Sequence, residues 1–282
     1  MKELYDLGIV HSGDVEPFYP HVRDRADIGV LQDKQTGVIF LETVGHMTMS
    51  HYESMSDGSY WGGKTRAEAL EVYREDDHRR AARFGSFITG KDFIDVGCGT
   101  GGLLDQVKSS AKSTSGVEPQ KYAREELEKL GYAMYPALSG APKESADVVS
   151  LFHVFEHLTE PLTALKEVHQ VLRPEGTLIL EVPHARDVLL KLEAFKAFSL
   201  WSEHLVLHTK ASLKTYLETA GFRDIRIEGF QRYPLANHIG WLVDEKPGGQ
   251  KRHATFDASA EAYTKLLEET DQTDTLIAFA TK

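Results

Sequence analysis

Across residues 65–89, apolar side chains recur every three or four positions, at Ala69, Val72, Tyr73, Ala81, Phe84, Phe87 and Ile88, with Arg, Glu and Asp between them. This period predicts a helix. Its charged middle, Arg74-Glu75-Asp76-Asp77-His78-Arg79-Arg80, reads as a solvated face. From residue 91 the pattern changes to short apolar runs separated by helical stripes. Strands are predicted over 93–96, 113–117, 132–135, 147–152 and 177–182, and helices over 100–108 and 120–130, the latter stopped by Gly131. A further helix carries the stripe Leu162, Leu165, Val168, Val171 and Leu172, with Thr159 as its expected cap and Pro174-Glu175-Gly176 as the turn that follows. Strands separated by 10–15-residue helical segments imply βαβ units and a parallel sheet.

The flanks have other textures. Residues 185–200 are amphipathic, 201–209 are rich in His and Leu, and 212–220 read as a helix ended by Gly221. A strand over 224–230, a Gly/Pro-rich interruption at 246–249, a helix over 258–269 and a strand over 276–280 complete the C-terminal part. At the other end, apolar runs at 28–31 and 38–41 flank Gln32-Asp33-Lys34-Gln35-Thr36-Gly37 and predict a hairpin; residues 45–60 are rich in Met, His and Ser and show no period. The expected organisation is a small β-containing accessory module over 1–64 that needs the main domain for stability, then a connecting helix over 65–90. The main domain covers 91–282, with lid insertions at 185–209 and 233–255.

Composition narrows the class. The 282 residues carry 32 Lys and Arg against 43 Asp and Glu, a net −11 with no basic block, which disfavours a nucleic-acid-coating role. The lone Cys98 excludes an intramolecular disulfide and any multi-cysteine zinc or iron–sulfur site. No apolar run reaches the roughly 18 residues of a membrane span, and Met-Lys-Glu-Leu-Tyr-Asp lacks the apolar stretch of a signal peptide. A cytoplasmic enzyme with no membrane partner is expected, and a homodimer is left open.

The sharpest chemical signal is Asp95-Val96-Gly97-Cys98-Gly99-Thr100-Gly101-Gly102, placed after a strand and at the start of a helix. Glycines there let the backbone turn tightly against a ligand, and the helix start offers free N–H groups. The pattern Gly97-x-Gly99-x-x-Gly102 also fits a dinucleotide fingerprint. Asp95 weighs against that reading, because a carboxylate there would repel a pyrophosphate but suits a ligand bearing an ammonium and a sulfonium. Glu118, in Gly116-Val117-Glu118-Pro119, ends the next strand, where a carboxylate meets ribose hydroxyls. Cys98 reads as a small filler within the loop rather than a nucleophile.

On these residues the chain resembles the class I S-adenosylmethionine-dependent methyltransferases. Ala146-Asp147-Val148-Val149-Ser150-Leu151-Phe152-His153 resembles their fourth strand, and Leu172-Arg173-Pro174-Glu175-Gly176-Thr177-Leu178 the entry to their fifth. The resemblance covers about half the chain. It implies a Rossmann-like α/β fold: a seven-stranded mixed sheet with helices on both faces and the last strand antiparallel. It also implies S-adenosylmethionine as cofactor, held by Asp95, Gly97, Cys98, Gly99, Gly101, Glu118, Pro119, Phe152 and His153. No acid follows the third strand, where Ala137-Leu138-Ser139-Gly140 leaves the adenine to main-chain groups. Similar sugar methyltransferases carry a cysteine-rich zinc module at the N-terminus; this chain has no cysteine before Cys98, so no metal is expected.

Ligands of such folds bind at the carboxyl ends of the strands, which places Phe152-His153-Val154-Phe155-Glu156-His157 at the mouth. His157 is the expected proton acceptor with Glu156 beside it; the same pair can instead cap the next helix. In Trp201-Ser202-Glu203-His204-Leu205-Val206-Leu207-His208, Trp201 and His204 suit a lid, and His204 is the alternative base. His204 and His208, with Glu203, also have metal-ligand spacing, and plain packing is the remaining reading. The expected activity is in-line methyl transfer to oxygen or nitrogen of a small molecule, a sugar or sugar derivative being one candidate. An NAD-dependent oxidoreductase and a non-catalytic cofactor-binding homologue are the alternatives. No Asn/Asp-Pro-Pro-aromatic motif follows the fourth strand, which further disfavours a nucleic-acid acceptor.

Overall fold

The strands that carry the site are β4 (Asp92–Val96), β5 (Ser113–Val117), β6 (Ala133–Tyr135), β7 (Ala146–Phe152), β8 (Leu172–Pro183), β10 (Arg223–Phe230) and β11 (Thr275–Thr281). The computed structural model describes residues 1–47, 65–248 and 254–282, with side chains from 258 in the last stretch. These strands form a seven-stranded sheet in the order β10-β11-β8-β7-β4-β5-β6. Pairing from β6 through β8 is parallel, and β11 lies antiparallel between β8 and β10. The expected sheet and its antiparallel last strand are therefore present. All five residues of β4 are buried, as a central parallel strand covered on both faces requires.

Strand alternation sorts the core into two layers. Ile94, Val149, Leu151, Leu180 and Ala278 face α5 (Pro161–Val171) and α7 (Lys210–Thr219). Phe93, Val148, Ile179, Ile277 and Phe279 face α2 (Arg66–Ile88), α3 (Gly102–Val107) and α4 (Lys121–Lys129). Thr65 caps α2 through a reciprocal box with Glu68, worth about 1 kcal/mol.

A second sheet holds β1 (Val15–Tyr19), β2 (Val30–Asp33), β3 (Ile39–Leu41) and β9 (Val206–Leu207), all antiparallel. The expected hairpin is the β2–β3 pair. Its far edge is closed by β9, which comes from the first insertion and not from the N-terminal segment. Ile39, Phe40 and Leu41 belong to the same apolar cluster as the main sheet's Val149 and Leu180. The predicted period-free stretch from residue 48 onward, and residues 249–253 of the second insertion, lie outside the described residues.

Three local expectations need correction. Thr159 does not cap α5: the N-cap is Glu160, without a side-chain bond, and the Leu162 N–H is accepted by Glu3 of α1 (Lys2–Asp6) at 3.1 Å. Pro174-Glu175-Gly176 is not a turn between elements. It is an excursion inside β8, with Glu175 at φ 66° and the pairing with β7 slipping between Leu172 and Thr177. The charged middle of α2 is only partly solvated. Arg74, Glu75 and His78 are exposed, but Asp77 is buried and Asp76, Arg79 and Arg80 are half-buried.

Candidate active site

A cavity of about 890 Å³ lies over the carboxyl ends of the main sheet. That is large for one small molecule and within the range of ligand sites. Its first end belongs to β4 and β5. Gly97, Cys98, Gly99, Glu118 and Pro119 line it, as do Pro136, Ala137 and Leu138 beyond β6. Both oxygens of Glu118 are fixed by backbone donors, the Gly99 N–H and the Gln120 N–H, each at 2.9 Å. Gly99 has φ +52°, and a Cβ there would meet nothing within 4 Å, so its open side faces the void. Asp95 lies behind the loop, buried, accepting from Ser150 on the neighbouring strand at 2.6 Å. Burial pushes its carboxyl up to about 7.

This cradle fits S-adenosylmethionine. A backbone-fixed carboxylate stands at the second strand end, a side-chain-free loop lies against the void, and a buried acid sits behind them where a ligand cation would let it ionise. Two expected contacts fall differently. A Cβ on Gly101 would run into Leu127, so Gly101 serves packing between the loop and α4, and it does not line the cavity. Asp95, behind the loop, does not line the cavity either, whereas Cys98 does, its thiol raised far above its ordinary range by burial and by Glu118, as suits a small unreactive filler.

α2 contributes what the sequence pattern missed. Arg79 donates to both oxygens of Glu181 at 2.8 Å, and Arg80 donates to its Oε1 at 2.9 and 3.2 Å. Glu181, on β8, is fully buried; despite that burial, Arg80, His153 and Arg79 keep it ionised. Asp76 holds Arg79 at 3.0 Å and also pairs with Arg232, beyond β10. Asp77 packs against Gly102 so closely that no Cβ fits, and burial raises its carboxyl to about 6.

The third group follows β7. His153 has φ +55°, a conformation costing about 1–2 kcal/mol that the surroundings must impose. Its Nδ1 lies 3.0 Å from Glu156, and its Nε2 lies 3.4 Å from Glu181. Glu156 sits in a 3₁₀ turn, Phe155–His157, fully buried beneath the cavity floor. Burial opposes its ionisation, but His153 and the neighbouring histidines hold it at about 2. It is thus not itself in contact with the void, contrary to the expectation of a residue at the mouth. His157 and His204 do line the void, their rings 5.1 Å apart and both beside Trp201. Ligand atoms of Glu156, His157 and His204 lie within 4.8 Å of one another. His208 turns away, buried against Phe155 with Nδ1 3.2 Å from Ser212, so the His204–His208 pair that the spacing allows is not assembled.

The far end of the cavity is built beyond β8, β10 and β11. Leu189 and Leu190, in the 3₁₀ turn Val188–Lys191, line it with Phe195 and Phe198 of α6 (Glu193–Ser199) and Trp241 of α8 (Leu235–Asp244). Trp241 contacts both phenyl rings, at 5.1 and 5.2 Å. Asp187 and Asp274 line the same end. Asp187 accepts the Leu189 N–H at 2.8 Å; burial, then the nearby Asp274, raise it to about 8.

A glycine-loop cofactor cradle on this sheet order, with the antiparallel strand inserted before the edge, is the fold of an S-adenosylmethionine-dependent methyltransferase. Residues 67–227 match the family model described as "Methyltransferase domain", and the chain belongs to that family. It is 20% identical over 231 residues to a ubiquinone biosynthesis O-methyltransferase of Haemophilus ducreyi, covering 73% of this chain and 95% of the relative. It is 25% identical over 181 residues to a tRNA U34 carboxymethyltransferase of Aeromonas hydrophila, covering 56% of this chain. The chain spans about half of that relative's length, 53%. Among solved structures, an S-adenosylmethionine-dependent methyltransferase from Archaeoglobus fulgidus superposes with TM-score 0.55 at 20% identity, over 76% of this chain and 97% of that one. No described helix is long and apolar enough to cross a membrane.

Proposed function

We propose that the enzyme methylates an oxygen or nitrogen of a small molecule seated between His157 and the apolar wall beyond β8. The observation that carries this reading is the single cavity running from Glu118 and Gly99 to His157, His204 and Trp241. Related chains are named for ubiquinone biosynthesis and for tRNA U34, so both small and macromolecular acceptors occur in the names of relatives. The walled, largely aromatic far end suits a small one. When bound, S-adenosylmethionine supplies a methyl group that is already activated. The protein's share is to bind both partners, align them and exclude water.

Glu118 and the loop from Gly97 to Gly99 hold the cofactor, with Asp95 as the buried acid behind the loop and Pro119, Cys98 and Phe152 shaping the walls. His157 takes the acceptor's proton. Glu156, 3.9 Å from its Nε2, positions it from below, and His153 in turn fixes Glu156. His204 is the weaker base, because burial and then His157 hold it at about 3. It shapes the acceptor side of the site together with Trp201.

Calorimetric titration with S-adenosylhomocysteine and, separately, NAD⁺ tests the reading. Binding of the first alone is expected. Binding of NAD⁺ in its place would turn the site over to hydride transfer, and cofactor binding without turnover on any acceptor would leave a binding module.

A further inference from the structure

The charges around the acceptor end are unevenly committed. The arginines that line the cavity among the described residues are Arg23, Arg80 and Arg232, and each is engaged by the protein. Arg80 serves Glu181 and Arg232 serves Asp76. Arg23 donates to the Phe198 carbonyl at 2.9 Å and lies over Trp201, 4.8 Å from its ring centre. The acids at this end are less fully matched. Asp274 accepts from the Arg232 and Tyr233 N–H groups and from the Gln231 amide, and it feels the Arg232 guanidinium that Asp76 already holds. Among the described residues, Asp187 receives only the Leu189 N–H, though it is buried and lines the void. Beside these acids stands the Trp241, Phe195 and Phe198 cluster, with Tyr233 on the same lining.

Buried carboxyls close enough to repel one another cannot both ionise without a cation. An anion would meet two acids and no uncommitted guanidinium. An ammonium, in contrast, would meet an acid at its charge and aromatic faces along its body. We propose that the far end of this cavity is a binding subsite for a protonated amine carried on an aromatic or apolar body, with Asp187 as its anchor. The proposal rests on the methyltransferase reading, since it names the class of acceptor. Among the described residues, the titratable groups that face Asp187 are Asp274, just before β11, and Tyr263 on α9 (Ala254–Glu269), whose hydroxyl is bonded to His238 of α8. None of them is a fixed cation.

Three probes of one shape and different charge separate the outcomes: tryptamine, the neutral indole-3-ethanol and the anionic indole-3-acetate. Each is titrated into the full chain saturated with S-adenosylhomocysteine at pH 7.5. Tryptamine is expected to bind at least tenfold more tightly than the alcohol, and the acid most weakly. Asp187→Asn should shrink the amine's advantage to within about twofold with S-adenosylhomocysteine affinity unchanged. Asp187→Ser, which keeps an oxygen for the Leu189 N–H, should do the same and serves if the first variant folds poorly. An alcohol or acid bound as tightly as the amine, an advantage that survives both substitutions, or no probe binding to cofactor-saturated protein each overturns the subsite. Failure to bind S-adenosylhomocysteine at all would instead overturn the methyltransferase reading beneath it.

Discussion

The two ends of the cavity are built by different means. The cofactor end is almost entirely local: one loop between β4 and α3, and one residue after β5, joined by a hydrogen bond from the Gly99 N–H to the Glu118 carboxylate. The acceptor end is assembled from side chains of α2, the turn after β7, the segment after β8, α8 and the start of β11, which lie up to about 200 residues apart in sequence. A site made of main chain tolerates drift in everything except its glycines and one acid. A site made of remote side chains can change its ligand whenever one of those segments changes. The architecture therefore separates a fixed task from a variable one.

The largest effect should come from breaking the local end. Gly99→Val places a branched side chain at φ +52° and into the void, so S-adenosylhomocysteine binding should fall below detection. The strain, about 1–2 kcal/mol, should lower the melting temperature by only a few degrees. Normal titration by a folded variant would move the cofactor elsewhere. At the other end, His157→Ala should lower kcat by about 10²–10⁴-fold and leave cofactor affinity intact, whereas His204→Ala should mainly raise the acceptor's KM. The reverse pattern in single-turnover and steady-state assays would transfer the base to His204. Glu118→Ala should weaken cofactor binding by about 1.5–3 kcal/mol with no change in acceptor affinity, read by calorimetry. An unchanged dissociation constant removes Glu118 from the site.

The smallest effect is a matter of pH. Asp187 is held at about 8 by burial and by Asp274. An acid whose folded pKa lies above its unfolded value near 3.9 binds more protons when folded, so it costs stability progressively as pH rises between the two. The buried His184, His208 and His238, lowered to about 4 mainly by burial, act in the opposite sense, and only below about 6.5. Asp95, at about 7, acts in the same sense as Asp187 and is still half protonated at pH 7, and His153, raised despite its burial by Glu156 and Glu181, also adds to the loss as pH rises. Between pH 7 and 8 the ligand-free protein should therefore lose stability, with Asp187 one of the causes, and Asp187→Asn should make that slope shallower and raise the melting temperature. Parallel slopes in differential scanning fluorimetry would place Asp187 outside this account.

The same contrast explains what could be read from the chain. Period-two and period-3.6 patterns placed the strands and helices of the main sheet, and the glycine loop and Glu118 declared themselves because their chemistry is contiguous. Asp77 and Arg80 did not, since charged residues between apolar ones ordinarily mark the solvated side. Yet residues 69, 73, 77, 80, 84 and 88 are spaced by three and four, so these two charges continue the buried stripe of α2. The partner of Arg80, Glu181, stands in an apolar run more than 100 residues later, and Asp77 packs against Gly102 of the glycine loop; only folding shows these meetings. Asp187 and Trp241 lack even that signal. Neither sits in a motif, and their shared void is a property of the tertiary arrangement.

The two-residue strand β9 also bears on how the chain is made. Its pairing with β3 joins Phe40 to Val206. During synthesis the β1–β2–β3 meander emerges with the edge Ile39-Phe40-Leu41 bare, and it stays bare until some 165 more residues have been added. At about 5–20 residues per second that is a wait on the order of 10–30 s. An apolar strand edge exposed for so long is a template for pairing with another nascent chain. Slow translation or a downstream truncation before residue 206 should therefore show itself as aggregation seeded from the N-terminus.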